Sequence, residues 1–143
     1  MAKSDIKENV PESLKKFMQE MNEWECEFFE KRKDGLSKGV DDLALKENYA
    51  LKLERILDAF ALKDKSNYGR LIDLGCTRPA TYDPKTDEVE LISSSDGSMI
   101  VQVQQMKGAE VCSRFHLVVK GGEWKIRKRE MLNFDEKWKR VPL

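Results

Sequence analysis

The chain has one histidine, three cysteines and no net charge across its 143 residues. Each shortage closes off some chemistry. A single histidine, His116, is too little for a zinc centre, which takes four compactly spaced ligands. Cys26, Cys76 and Cys112 are odd in number, far apart and without a Cys-x-x-Cys spacing, which suits free thiols in a reducing cytosol. Lysine plus arginine and aspartate plus glutamate both number 26, so the basic excess of a nucleic-acid binder is missing. No segment approaches the ~20 apolar residues of a membrane span. Met1 to Glu8 holds no apolar run, which argues against a signal peptide. No glycine-rich phosphate loop and no Gly-x-Ser-x-Gly elbow occur. The expectations are a cytoplasmic protein with no metal, no cofactor and no direct nucleic-acid or membrane partner.

What is present is a well-patterned domain. The length suits a single domain over residues 1–143, with residues 1–9 expected as a flexible N-terminal segment. Pro11 suits the first turn of a helix. Leu14, Phe17, Met21, Trp24 and Phe28 then recur at spacings of three and four, a helical stripe. Gly35 and Gly39 are expected to break it. Asp41 is placed to cap a second helix, whose buried side is Leu45, Tyr49, Leu53, Ile56 and Phe60. Leu71 to Leu74 is ambiguous between a strand and a short helix. Thr77 to Asp87, with Pro79 and Pro84, reads as loop.

Strands follow at about 88–94, 99–106, 111–120 and 123–131. Asp96-Gly97 and Gly121-Gly122 mark hairpin turns. Phe115, Leu117, Val119, Trp124 and Ile126 alternate toward one face, and Met99, Val101 and Val103 form an apolar row. Helices followed by a meander predict an α+β fold: two to three N-terminal helices packed on a curved antiparallel sheet. The expected core includes Phe17, Met21, Trp24, Tyr49, Leu53, Ile56, Phe115, Leu117, Trp124 and Ile126.

Four groups of residues carry possible chemistry. Cys112 and His116 share a strand face, but residues four apart on a strand lie about 13 Å from each other at ~3.3 Å per residue. Direct activation needs about 3 Å, so this is a poor nucleophile pair. Asp73, Asp83, Asp87 and Glu90 read as turn caps and solvated charge in preference to pocket bases. Arg114, Arg127, Lys128 and Arg129 read as a solvated sheet face, because nucleic acid would want exposed aromatics among them. Glu20, Glu23, Glu27 and Glu30 form one acidic stripe on the first helix. Like charges at helical spacing repel by a few tenths of a kcal/mol. The stripe is either a plain solvated face or a surface kept for a basic partner.

The closing Gly121-Gly122-Glu123-Trp124-Lys125-Ile126 resembles the last hairpin of the nuclear transport factor two-like fold, in which helices pack into a cone-shaped sheet. Leu14 to Glu25, Tyr68-Gly69-Arg70-Leu71, the Cys76 to Pro84 loop with Tyr82-Asp83-Pro84, and Glu136-Lys137-Trp138-Lys139-Arg140 resemble bacterial immunity proteins built on that fold. Such proteins hold a cognate secreted toxin of a polymorphic toxin system inactive in the producing cell. The resemblance implies a toxin partner, often a nuclease, and no enzymatic activity. It transfers no contact residues. The surfaces offered for toxin binding are the stripe Glu20, Glu23, Glu27 and Glu30, and Trp138 in a basic C-terminal tail. Two alternatives on the same cone are a small isomerase, cyclase or dehydratase, for which Asp73 and His116 are the best available pair, and a ligand-binding module.

Overall fold

The computed structural model describes residues 10–39 and 41–143. The expected flexible segment, residues 1–9, lies outside the described residues. Two long helices, α1 (Glu12–Ser37) and α2 (Leu43–Phe60), precede a short 3-10 turn at Gly69–Leu71. Five strands follow: β1 (Glu88–Ser95), β2 (Ser98–Gln104), β3 (Cys112–Lys120), β4 (Glu123–Leu132) and β5 (Trp138–Val141).

α1 starts where Pro11 ends an extended residue, and the Pro11 carbonyl accepts from Leu14 N at 3.1 Å. Gly35 does not break the helix, which runs on to Ser37. One glycine costs only about 1 kcal/mol against alanine, less than this length of packed helix supplies. The stop comes at Gly39, whose φ of +69° other residues resist. At the start of α2, Asp41 Oδ1 accepts from Leu43 N at 3.1 Å. At its end Ala61 turns extended, and Leu62 N donates to Ile126 O at 2.9 Å. Buried Asn67 fixes this junction, its amide donating to Leu62 O and Arg127 O, both at 3.0 Å. Of Leu71 to Leu74 only Leu71 belongs to the 3-10 turn, and none of the four lies in a strand.

The sheet is an antiparallel meander in the order β1-β2-β3-β4-β5. β5 was not among the expected strands. Its four residues pair Arg129↔Val141 through Leu132↔Trp138, so the supposed C-terminal tail is a sheet edge. β2 stops at Gln104, two residues short of the expected end. Gly121 and Gly122 both have positive φ, as the β3–β4 hairpin demands, whereas at the β1–β2 turn only Gly97 does. Two bulges bend the strands and help curve the sheet. Ile92 is the extra residue in β1, between the pairs Leu91↔Val101 and Ser93↔Ile100. Arg127 is the extra residue in β4, between Leu117↔Ile126 and His116↔Lys128.

The helices cover one face of the sheet. Phe17, Met21, Trp24, Tyr49, Leu53 and Ile56 from the helices are buried with Met99, Val101, Val103, Phe115, Leu117 and Ile126 from the strands. Phe17 meets Phe115 edge-on at 6.3 Å and Tyr82 at 5.4 Å. Trp24 Nε1 donates to Tyr49 O at 2.9 Å, and Phe28 stacks on Tyr49 at 4.9 Å. One expectation needs correcting: Trp124 is only half-buried against the core, and Val119 beside it is 45% exposed. They face each other at the β3–β4 tip, where the hairpin runs past the helices that would cover it.

Candidate functional site

The acidic stripe does run along one flank of α1, but the structure has already given most of it partners. Glu27 accepts from the Tyr49 hydroxyl and from Lys52 Nζ. Tyr49's hydrogen bond in particular holds the Glu27 carboxyl below the usual glutamate range. Glu30 pairs with Arg78, whose guanidinium also lies 5.3 Å over the Phe29 ring. Glu23 accepts from Gln19 at 2.8 Å, a neutral partner. Glu20, Glu23 and Glu27 line an open groove of about 300 Å³ whose far wall is Lys52 and Arg55 of α2. The stripe is thus a mixed-charge seam between the helices.

Glu25, left out of the stripe, is the acid the sequence reading missed. It is 1% exposed. Its carboxylate pairs with Arg70 Nη2 at 2.7 Å and accepts from Thr77 N and Thr81 N, each also at 2.7 Å. Thr77 Oγ1 adds a fourth contact at 3.1 Å. Arg70 in turn stacks 4.9 Å over Trp24, and Asn22 Nδ2 donates to Tyr82 O at 2.6 Å. One buried carboxylate therefore pins the whole loop that ends in Tyr82. The signal was there: Glu25 falls between Met21 and Phe28 at spacings of four and three, inside the apolar stripe. An acid at such a position is a buried, partnered one.

The basic group on the sheet is divided by the β4 bulge. An extra residue reverses the alternation, so Lys128 stays opposite outer-face His116 while Arg129 turns inward. There Arg129 bonds Ser113 Oγ at 2.9 and 3.1 Å and Pro142 O at 3.1 Å, and lies 5.3 Å over Tyr82. Arg114 donates to Gln102 Oε1 at 3.0 Å and lies 4.4 Å over Trp138. Trp138 is half-buried beneath that guanidinium rather than free on a tail.

The other candidates are not brought together. His116 Nε2 contacts Glu130 Oε1 on the outer face, not Cys112 or Asp73. Burial pushes the ring's pKa down, against the pull of Glu130, and the net direction is down. Asp73 and Glu90 are exposed. Asp83 and Asp87 close a turn, Asp83 N donating to Asp87 Oδ2 at 2.9 Å and Lys85 N to Asp83 Oδ1 at 3.1 Å. Burial raises the pKa of Asp87, and among the described residues its Oδ1 has no partner, nor has the buried Tyr82 hydroxyl. Both border a cavity of about 10 Å³, with Ser113, Phe115 and Arg129 around it. Among the described residues no group of three or more histidine, cysteine or carboxylate side chains is placed to hold a metal ion. No helix there is long and apolar enough to cross a membrane.

Comparison with known proteins adds two findings. Residues 9–141 match the family model described as NTF2 fold immunity protein. The chain is also 36% identical over 128 residues to Immunity protein RhsIA of Dickeya dadantii (strain 3937), covering 87% of this chain and 89% of that protein. No solved structure matches.

Proposed function

Because this chain belongs to the NTF2 fold immunity protein family, we propose that it binds and neutralises a cognate secreted toxin of a polymorphic toxin system, in the cytoplasm of the bacterium that makes both. The observation that supports this most is the filled interior of the fold. Phe17, Tyr82 and Phe115 meet ring to ring between helices and sheet. The space left beside them, about 10 Å³, is near the minimum that holds one water. Small-molecule sites run to about 300–1,000 Å³, so an isomerase, cyclase or dehydratase reading has no seat for its substrate there. His116 and Glu130 stand on the opposite face of the sheet, away from that interior.

The surface then carries the function. On this reading the partner is a toxin domain, and a nuclease with a basic substrate channel is the class a local acidic surface suits. Glu20 and Glu23 are the members of the α1 stripe best able to meet it, since Glu27 and Glu30 are held by Lys52 and Arg78. Trp138 is a second contact only if the toxin displaces or extends the Arg114 stack.

The test is co-expression with the toxin domain encoded in the adjacent gene. The wild-type chain should restore growth and co-purify with the toxin as a stoichiometric complex. A toxin that remains lethal and passes through the column alone would sink the proposal. Exchanging Glu23 for lysine should slow association at low salt, with the difference shrinking beyond about 0.15 M, where charges are screened over ~8 Å.

A further inference from the structure

α2 carries a second charged stripe, on the flank away from α1. Glu47, Ala50, Leu51 and Glu54 recur at spacings of three and four and so share one face of the helix. With Leu71 of the 3-10 turn they line an open groove of about 410 Å³. Of its apolar lining, Leu51 is 57% exposed, while Leu71 is half-buried against the core.

Among the described residues neither Glu47 nor Glu54 has a cationic partner. The cations of α2 are engaged elsewhere. Lys46 lies 3.9 Å from Asp42, Lys52 pairs with Glu27 at 3.3 Å, and Arg55 borders the seam with α1. The two flanks of α2 are therefore opposites. Toward α1, Glu27 is paired with Lys52; in the groove Glu47 and Glu54 have no cationic partner among the described residues and bracket Leu51. A larger open groove, about 790 Å³, lies between the start of α1 and the β3–β4 turn. Its walls carry both signs, Lys15, Lys16 and Lys125 against Glu12 and Glu123, so it selects no partner charge. The α2 groove selects one.

We propose that the α2 groove is the toxin's docking site. The occupant is a toxin surface presenting an apolar side chain between lysine or arginine residues. The apolar side chain seats on Leu51 and Leu71, and the cations pair with Glu47 and Glu54. This rests on the immunity reading and supplies what an acidic stripe alone lacks, since charge steers encounter while buried apolar anchors hold a complex together.

The experiment uses a catalytically inactivated form of the toxin domain encoded in the adjacent gene, with binding kinetics measured on the full chain. Leu51→Arg should weaken binding about tenfold or more, chiefly by faster dissociation. The double change E47K/E54K should slow association at low salt and converge on wild type as salt rises. Thermal melting checks that the variants fold. If Leu51→Arg does not, the milder Leu51→Gln at the same exposed position asks the same question. Wild-type kinetics in a folded Leu51 variant and in E47K/E54K, alongside a wild-type chain that binds and protects, would remove the groove and leave the immunity reading standing. A wild-type chain that neither binds nor protects would overturn that reading and the groove with it.

Discussion

Replacing Glu25 by glutamine removes a charge while keeping the side chain's length and shape, and the structure says this should be expensive. The carboxylate is 1% exposed and faces only donors: Arg70 Nη2, Thr77 N, Thr77 Oγ1 and Thr81 N. A glutamine amide has one acceptor oxygen where the carboxylate has two. Its NH₂ must then point at a backbone N–H or at the guanidinium, leaving at least one buried donor unmet. An unmet buried donor costs about 1–3 kcal/mol. Breaking a buried ion pair on one side costs about 3–5 kcal/mol in all. Arg70's side chain is only 13% exposed, so water cannot fully replace the lost partner. The expected loss is therefore about 3–5 kcal/mol out of a total stability of about 5–15 kcal/mol. Urea denaturation followed by tryptophan fluorescence measures it, and hydrogen exchange at Thr77 and Thr81 should rise before the rest of the chain opens. The double variant E25Q/R70M should recover part of the loss, because a buried pair replaced on both sides leaves no stranded charge. A Glu25→Gln protein within about 1 kcal/mol of wild type, or protection unchanged at both amides, would refute the reasoning.

Phe115→Ala should cost about 3–5 kcal/mol by the same denaturation assay, since Phe115 is fully buried between Phe17 and Tyr82; a loss below about 1 kcal/mol would mean the three rings do not form the core's centre. His116→Gln should leave toxin protection intact in a folded protein, and loss of protection with normal toxin binding would revive an enzymatic role. The same histidine should shape acid stability. Its folded pKa lies below the ordinary histidine value of 6.5 because burial disfavours the charged ring, so its contribution is present above pH 6.5 and is lost as pH falls through the lower folded value. Glu27, also depressed, from 4.5, adds a second loss at lower pH, as acidity passes through its folded value. Stability against pH for His116→Gln and Glu27→Gln should therefore flatten in two different windows; a wild-type slope in either variant would exclude that group.

The order and type of the main elements were legible in the sequence because they rest on short-range periodicity. Phe17, Met21, Trp24 and Phe28 at helical spacing permit only a helix with one buried side, and Met99, Val101 and Val103 permit only a strand with one buried face. Gly121-Gly122 demanded its hairpin because both residues need positive φ. The immunity family was legible too, in segments spread along the chain. What tertiary structure alone decided was where each charge points and what it meets. A single extra residue, Arg127, reverses the alternation of β4 and sends Arg129 into the interior while Lys128 stays outside. β5 exists only because β4 offers it an edge, so Trp138 became a strand residue beneath Arg114. Glu27 and Glu30 lost their freedom to Lys52 and Arg78, residues 25 and 48 positions further along the chain. Among the described residues Glu47 and Glu54 meet no cation. Periodicity tells which side of an element a residue occupies, but ion pairs are closed by residues distant in sequence, and only the folded chain brings those together.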